Sequence, residues 1–427
     1  MNYLIVGNSA AAIAAVEAIR QADPRGRITL VAAEPEHTYS RPLVSYRLAG
    51  KVGDDLMSYR PADFYDRHRV ETCLGEEVVA VDTDARTVTA RSGRTFTYDR
   101  LLLATGGRPI VPDIDGLAGA RGVFTLTSYD DARRIDAYLT EHGVKQAVVL
   151  GGGMIGLKTA EALLARGVKV TVVELADRLL SATFDREASE MLETALRKHG
   201  AAVCLGTTIE RVLTSQGAVR GVRLTTGLEV YCKVIVAAIG VAPELGYLAA
   251  SGIETGRGIL VDDHLRTSAV GVYAAGDVAE AADMLLGGRR PIPILPLAYR
   301  QGMIAGRNMA GADQAYRGGI AMNSIEVCDL ATISVGLTAV DEADGYEVLA
   351  DRDAAAGAYR KVVLRDNRIV GVILIGDIDR AGLYTGLIER RTDVGRIKHL
   401  LLSSEFGLLS LDPEYRKHMV SGPGIEV

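Results

Sequence analysis

A strand–glycine–helix unit occurs twice in this chain. The first reads Tyr3-Leu4-Ile5-Val6-Gly7-Asn8-Ser9-Ala10-Ala11-Ala12, and the second Ala147-Val148-Val149-Leu150-Gly151-Gly152-Gly153-Met154-Ile155-Gly156. In each, an apolar run suited to a buried strand meets a turn of small residues and then an alanine-rich helix. Such a turn aims backbone N–H groups and the positive end of a helix at a pyrophosphate. Two units predict two dinucleotides, and two dinucleotides predict electron transfer between them.

The units differ in strength. The second carries all three glycines of the G-x-G-x-x-G pattern, Gly151, Gly153 and Gly156, and Glu174 closes the following strand Val170-Thr171-Val172-Val173. That is about 20 residues on, where a carboxylate hydrogen-bonds a ribose 2′-hydroxyl. In the first unit Ser9 and Ala12 stand where the second and third glycines would be. Serine still donates its backbone N–H, and alanine still permits fairly close helix–strand packing. Glu34, after Ile28-Thr29-Leu30-Val31, supplies the matching carboxylate.

With 427 residues the chain is long enough for two or three domains. Its net charge of −6 gives no basic footprint for nucleic acid or an anionic membrane. No apolar run approaches the ~20 residues that span a bilayer. With the first strand starting at Tyr3, no targeting peptide is expected. Cys73, Cys204, Cys232 and Cys328 are scattered and match neither a zinc site nor a disulfide framework, so reduced core thiols and a cytoplasmic location are expected. No metal site is expected.

Along the chain, Thr38-Tyr39-Ser40-Arg41-Pro42-Leu43 is a polar loop leading into a helix. Alternating segments at 77–82, 87–90 and 95–98 read as a β-meander. Leu101-Leu102-Leu103-Ala104-Thr105-Gly106-Gly107-Arg108-Pro109 is a buried strand ending in small residues, and 234–243 is its counterpart for the second unit. Val272-Tyr273-Ala274-Ala275-Gly276-Asp277 delivers an aspartate into a turn, ahead of a helix starting near Pro296-Leu297. From about residue 320 a separate segment shows strand patterns at 361–365 and 369–375, then helices.

With these ordered motifs in view, the chain resembles the FAD- and NAD(P)-dependent pyridine nucleotide–disulfide oxidoreductase superfamily over roughly residues 1–320. The resemblance implies an α/β fold: two Rossmann-like three-layer dinucleotide-binding domains, glutathione reductase-like, plus a C-terminal α+β domain. The expected division is an FAD domain at 1–110 and 243–320, an NAD domain at 111–242 and an interface domain at 321–427. By the same resemblance Gly7, Ser9 and Ala10 approach the FAD pyrophosphate, and Glu34 the adenosine ribose. Arg41 and Pro42 lie over the flavin, and Val78 makes a backbone contact to adenine. Ala104, Thr105 and Gly106 join the domains, and Asp277 holds the ribityl chain. The helix at Pro296 and Leu297 points its N-terminus at the flavin pyrimidine, where reduced flavin gathers negative charge. Ala11, Arg108, Gly151, Gly153, Met154, Ile155, Glu174 and Gly240 complete the cofactor-binding set.

Two departures from the family pattern sharpen the expectation. Disulfide reductases carry a C-x4-C pair after the first βαβ, and peroxidase and coenzyme A reductase relatives carry one cysteine. Here Ser40-Arg41-Pro42-Leu43-Val44-Ser45-Tyr46-Arg47 has no sulfur. The implied branch passes electrons from NADH through FAD to an external acceptor such as rubredoxin, ferredoxin or another iron–sulfur protein. The Tyr-x-Arg-Pro-Leu phrase and the ending Gly407-Leu408-Leu409-Ser410-Leu411-Asp412-Pro413 resemble NADH:rubredoxin oxidoreductases, and the flavin module of nitrite reductase large subunits belongs to the same branch. Second, many relatives place a glutamate where this chain has Lys158, often paired with a lysine where it has Tyr46. Lys158 is a cation beside the flavin and nicotinamide, or a helix-surface lysine partnered by Glu161; both readings stand.

Glu174 would repel a 2′-phosphate, which favours NADH over NADPH, whereas Arg178 could turn toward one. His37 reads as a loop histidine. The basic stretch at Arg390-Arg391 and 396–399 is a solvated face or a dock for an acidic carrier. A water- or peroxide-forming NADH oxidase and a slow redox-sensing module that binds FAD and NADH are the alternatives. A homodimer is compatible with the sequence.

Overall fold

A computed structural model describes residues 1–340, 344–403, 405–411 and 413. Asp412 of the ending noted above lies outside the described residues, as do residues 414–427. The helices are α1 (Ala10–Ala22), α2 (Val44–Leu48), α3 (Phe64–Arg67), α4 (Tyr129–Glu141), α5 (Met154–Ala165), α6 (Arg186–Lys198), α7 (Leu295–Met309) and α8 (Ala381–Glu389). None of them is long and apolar enough to cross a membrane. The chain divides into two compact units, Met1–Leu175 with Gly200–Gly319, and Ala176–His199 with Ile320–Val427.

The first unit contains two five-stranded sheets of the same design. In one the order is Val272–Ala274, Arg100–Leu103, Asn2–Val6, Arg27–Ala32, Val70–Leu74, with every pair parallel. In the other it is Val123–Phe124, Val234–Ala237, Gln146–Leu150, Lys169–Val173, Ala202–Cys204, again all parallel. The strand leading to each glycine turn is central, with strands added on both sides of it. That reversal of order opens a crevice at the strand C-termini, where open α/β sheets bind ligands. The central strands are apolar along nearly their whole length because both faces are covered; Leu4, Ile5, Val148 and Val149 are fully buried.

Each sheet is accompanied by a three-stranded antiparallel meander, Val78–Asp82, Thr87–Ala90 and Thr95–Thr97 in one case, Ile209–Ser215, Ala218–Leu224 and Glu229–Tyr231 in the other. The expected single runs at 101–109 and 234–243 are each broken. Gly106 (φ +69°) separates Arg100–Leu103 from Gly107–Pro109, and Gly240 (φ +133°) separates Val234–Ala237 from Val241–Pro243. The two short ends then pair antiparallel as a ribbon. A positive φ at a glycine turns the chain out of the parallel sheet without steric cost.

Helices α1 and α7 meet with almost no side chain between them. A Cβ on Gly302 would lie 2.1 Å from the Ala11 carbonyl oxygen, and one on Gly306 2.7 Å from that of Ala15. Alanines on α1 and glycines on α7 thus bring two helix backbones together, a contact that additional methyl groups would force apart.

The second unit is a five-stranded antiparallel sheet, ordered Met322–Val327, Leu330–Gly336, Arg368–Ile375, Ala358–Arg365, Glu347–Asp353, with α8 against it. Residues 176–199, which follow Glu174 in the chain, group with this sheet. Asp185 caps α6 by accepting from the Ala188 N–H at 3.0 Å, and it also accepts from the Tyr359 hydroxyl at 2.7 Å and pairs with Lys361 at 3.0 Å. The buried Lys361 gains a second acceptor in the Thr338 carbonyl, 3.0 Å away. An unpaired buried ammonium would be strongly destabilising, so this pairing ties α6 to one position on the sheet.

Candidate functional site

The two glycine turns share one geometry. Gly7 (φ +122°) and Gly151 (φ +115°) each leave the central strand in a conformation that L side chains rarely adopt. A Cβ on Gly7 would lie 2.2 Å from the Ala104 carbonyl oxygen, and one on Gly151 2.4 Å from that of Ala238. Gly7 N–H donates to the Val31 carbonyl and Gly151 N–H to that of Val173, both at 2.8 Å. Helix α1 starts with the Ile13 N–H bonded to the Ser9 carbonyl, and α5 with Leu157 N–H bonded to that of Gly153. Neither helix start has a side-chain cap, and neither has an acidic residue in its first turn. The first N–H groups of both helices are therefore without intrahelical or capping partners, as an anion site requires. Ser9, Ala10 and Ala11 lie at one such start, and Gly153, Met154 and Ile155 at the other.

Around the first turn, Glu34 accepts from the Tyr39 hydroxyl and from Arg41, each at 2.5 Å. Burial pushes the Tyr39 phenol up; the Arg41 charge opposes that and Glu34 adds to it. Asp277 has no side-chain hydrogen bond among the described residues, and burial raises its carboxyl above the usual range against the pull of Arg41. Its turn is held by Gly276 N–H donating to Gln301 Oε1 of α7 at 2.8 Å, and Gln301 in turn donates to the Tyr316 hydroxyl. The uncapped first turn of α7, with Pro296 and Leu297, adjoins this turn, since a Cβ on Gly276 would lie 3.6 Å from that of Ala298. The Thr105 hydroxyl hydrogen-bonds that of Tyr247 at 3.1 Å. Val78 packs on the same core as α1. Arg108 is not drawn into this group: its side chain is 72% exposed, and its ion-pair partner is Glu244 at 3.5 Å.

Around the second turn, Glu174 Oε2 accepts from the Gly152 N–H at 2.5 Å, which places a carboxylate on the glycine loop itself. Gly240 accepts from the Ile110 N–H at 2.9 Å and begins the ribbon. On α5, Lys158 is 17% exposed, is paired with Glu161, and has its ammonium 4.5 Å from the Tyr46 ring centroid. Lys51 approaches Glu161 to 3.5 Å from the other side. Tyr46 and Lys158, matched to one another only through the family pattern, are thus neighbours, and Glu161 is the partner that helical spacing implied.

Arg178 is spent on its own loop, pairing with Asp177 and donating to the Ser181 and Phe184 carbonyls. None of the four cysteines is in a disulfide, none lies in the loop after the first βαβ, and burial pushes Cys232 up to about 12 and also raises Cys73. Asp262, Asp263 and His264 lie close together, but Asp262 caps its own turn through the His264 and Arg266 N–H groups. Sequence reasoning missed Tyr39 as a Glu34 partner, although it lies in the Tyr-x-Arg-Pro-Leu phrase. It also missed Gln301, which follows Leu297 by one helical turn and so shares its face.

Two glycine cradles without Cβ atoms, two uncapped helix starts and an unpartnered Asp277 carboxylate fit two dinucleotides. Comparison with known proteins agrees. Residues 1–302 match the family model for pyridine nucleotide-disulphide oxidoreductase, and residues 322–392 that for the rubredoxin NAD+ reductase C-terminal domain. The chain is 35% identical to the epsilon subunit of NADH-dependent phenylglyoxylate dehydrogenase from Aromatoleum evansii, covering 92% of each chain. It is 31% identical to a Bacillus subtilis nitrite reductase [NAD(P)H] over 92% of its own length but 47% of that protein's, so it spans about half of that relative. Among solved structures, NADH:rubredoxin oxidoreductase from Clostridium acetobutylicum superposes with a TM-score of 0.76 at 26% identity, covering 93% of this chain and 97% of that one. The chain belongs to the pyridine nucleotide–disulphide oxidoreductase family, whose members are FAD- and NAD(P)(H)-dependent. It is an NAD(P)H-dependent flavoprotein oxidoreductase of the rubredoxin reductase-like type.

Asp277 carries a testable conflict between stability and binding. Its raised folded-state pKa means that the folded, FAD-free protein binds a proton more readily than the unfolded chain. Stability is therefore lost as pH rises above the unfolded value of ~3.9 and through the folded one. Asp277→Asn is expected to raise the melting temperature of FAD-free protein at pH 7, with the gain shrinking toward pH 4. FAD affinity of the variant is expected to fall by about tenfold, one charged hydrogen bond's worth. Melting scans and FAD titration check both.

Proposed function

We propose that the protein transfers electrons between NADH and an iron–sulfur protein such as rubredoxin or ferredoxin, with FAD at the first glycine turn and NADH at the second. The observation that carries this reading is the pair of equivalent turns, together with a segment after the first βαβ, residues 40–47, that has no cysteine. A disulfide relay has no sulfur to use there. When bound, FAD would supply an acceptor for the nicotinamide hydride and a one-electron donor to a carrier.

The residues then have distinct tasks. Gly7 and Gly151 let the backbone approach each pyrophosphate, and the starts of α1 and α5 supply N–H donors. Glu34 and Glu174 accept from ribose hydroxyls, and for Glu34 this means sharing its oxygens with Tyr39 and Arg41. Glu174 also disfavours a 2′-phosphate, so NADH is preferred to NADPH. Arg41, Pro42, Val78, Ala104, Thr105, Gly106, Asp277, Pro296 and Leu297 line the FAD site. Lys158, held over Tyr46, keeps positive charge where the two rings meet. The match at 322–392 to the rubredoxin reductase C-terminal domain supports a small iron–sulfur carrier as acceptor.

A second reading is favoured by the mutual 92% coverage with the epsilon subunit of a phenylglyoxylate dehydrogenase. In it the chain is the NADH-linked subunit of a larger oxidoreductase, and its acceptor is an iron–sulfur subunit of the same complex.

Steady-state NADH oxidation separates these cases. Rapid turnover with added rubredoxin or ferredoxin is expected, with slow turnover in oxygen alone. Oxygen consumption matching NADH loss, without stimulation by either carrier, would replace this reading with an oxidase. For Lys158→Glu, anaerobic single-turnover bleaching of the flavin band by NADH is expected to slow by about tenfold or more. Unchanged bleaching would leave Lys158 as a surface partner of Glu161.

A further inference from the structure

The short helix α2 continues directly from Arg41-Pro42-Leu43, so one end of this segment reaches Glu34 beside the first turn. Its three last residues are bound by helices of the second Rossmann unit. Tyr46 lies under Lys158 of α5. Arg47 pairs with Asp136 of α4 at 2.7 Å and with Asp54 at 2.9 Å. The Leu48 carbonyl accepts from Arg166, just past α5, at 3.1 Å, and Arg166 also pairs with Asp136 at 2.5 Å. One carboxylate thus joins two guanidiniums, one on α2 and one beside α5.

The side chains of Asp136, Arg47 and Arg166 are all more than two-thirds buried. Burial alone would raise the Asp136 carboxyl, but the hydrogen bonds from Arg47 and Arg166 outweigh it and hold it below the usual carboxylate range. The carboxylate is therefore ionised at neutral pH and shields two like charges from each other. Without it, Arg47 and Arg166 would repel, and the end of α2 would lose its tie to α4.

We propose that Asp136 is a positioning residue that clamps α2 between the two dinucleotide-binding units and so sets the spacing of the flavin and nicotinamide sites. Tyr46 and Arg47 are adjacent in sequence, so the clamp also fixes the Tyr46 ring against Lys158. Hydride transfer is steep in donor–acceptor geometry, and a displacement of about 1 Å can cost ~100-fold in rate. The clamp itself exists in the FAD-free chain; its consequence for rate rests on the functional reading above.

The test compares wild type with Asp136→Asn, which keeps the shape and removes the charge, and with Asp136→Glu, which restores it. In FAD-free protein, amide hydrogen exchange across residues 44–54 is expected to speed up by about tenfold or more in the asparagine variant. In FAD-loaded protein, flavin reduction at saturating NADH is expected to slow by about tenfold, while the NADH concentration for half-maximal rate changes by less than about twofold. The glutamate variant is expected to recover most of both. Wild-type exchange in the asparagine variant overturns the clamp. So does a slower rate that higher NADH restores, because that is a binding defect. If Asp136→Asn fails to fold, Arg47→Gln, which removes the partner of Asp136 on α2, is expected to give the same two changes, and its failure to do so also overturns the proposal. If wild type itself is not reduced by NADH, the functional reading fails while the exchange measurement still decides the clamp.

Discussion

Everything in the first compact unit depends on how closely a turn can approach a neighbouring strand. At Gly7 and Gly151 the chain leaves the central strand so near the carbonyls of Ala104 and Ala238 that a methyl group would overlap them. That approach places each helix start at the crevice between diverging strands, with its first N–H groups free of internal partners. The same sheet order, meander and positive-φ breaks at Gly106 and Gly240 then follow twice. An anion site results from backbone geometry, and side chains are left to decide which dinucleotide fits which crevice.

Those side chains distinguish the two sites electrostatically. The first gathers Glu34, Tyr39, Arg41 and the half-buried Asp277, a set of polar and charged groups that is only partly compensated within the protein. Hydroxyl-rich ligand groups suit an acceptor such as Asp277, and a pyrophosphate suits Arg41. The second site puts one carboxylate, Glu174, on the glycine loop and one ammonium, Lys158, along the helix. Between them runs the segment from Arg41 through α2, bound at one end to Glu34 of the first site and at the other to α4 and α5. Desolvation raises the Asp277 carboxyl, so its ionised form is costly to the folded chain.

Much of this was legible in the sequence because it is local. Both glycine turns, the meander at 77–98, the strand before Asp277 and the helix at Pro296 follow from apolar periodicity and turn residues a few positions apart. Absence of cysteine from 40–47 is equally a local fact, and it removed the disulfide chemistry. What escaped is what depends on distance along the chain. Asp136 and Arg47 are ordinary charged residues in separate helices until folding brings them together. Gly302 and Gly306 look like weak spots in α7 until α1 is laid against them. Residues 176–199 fall within the segment 111–242 expected as the NAD domain, and Asp185 bonds Tyr359 and Lys361 of the C-terminal sheet. Single-sequence patterns carry no signal for such partners.

The assignment of different dinucleotides to the two turns is tested most directly by Gly151→Ala, measuring flavin content and NADH binding on the same preparation. A methyl at this position meets the Ala238 carbonyl and is strained at φ +115°, while the first turn is untouched. The expected result is FAD retained at the wild-type level with NADH binding weakened by at least about 100-fold. Loss of FAD with NADH binding intact would contradict the assignment outright.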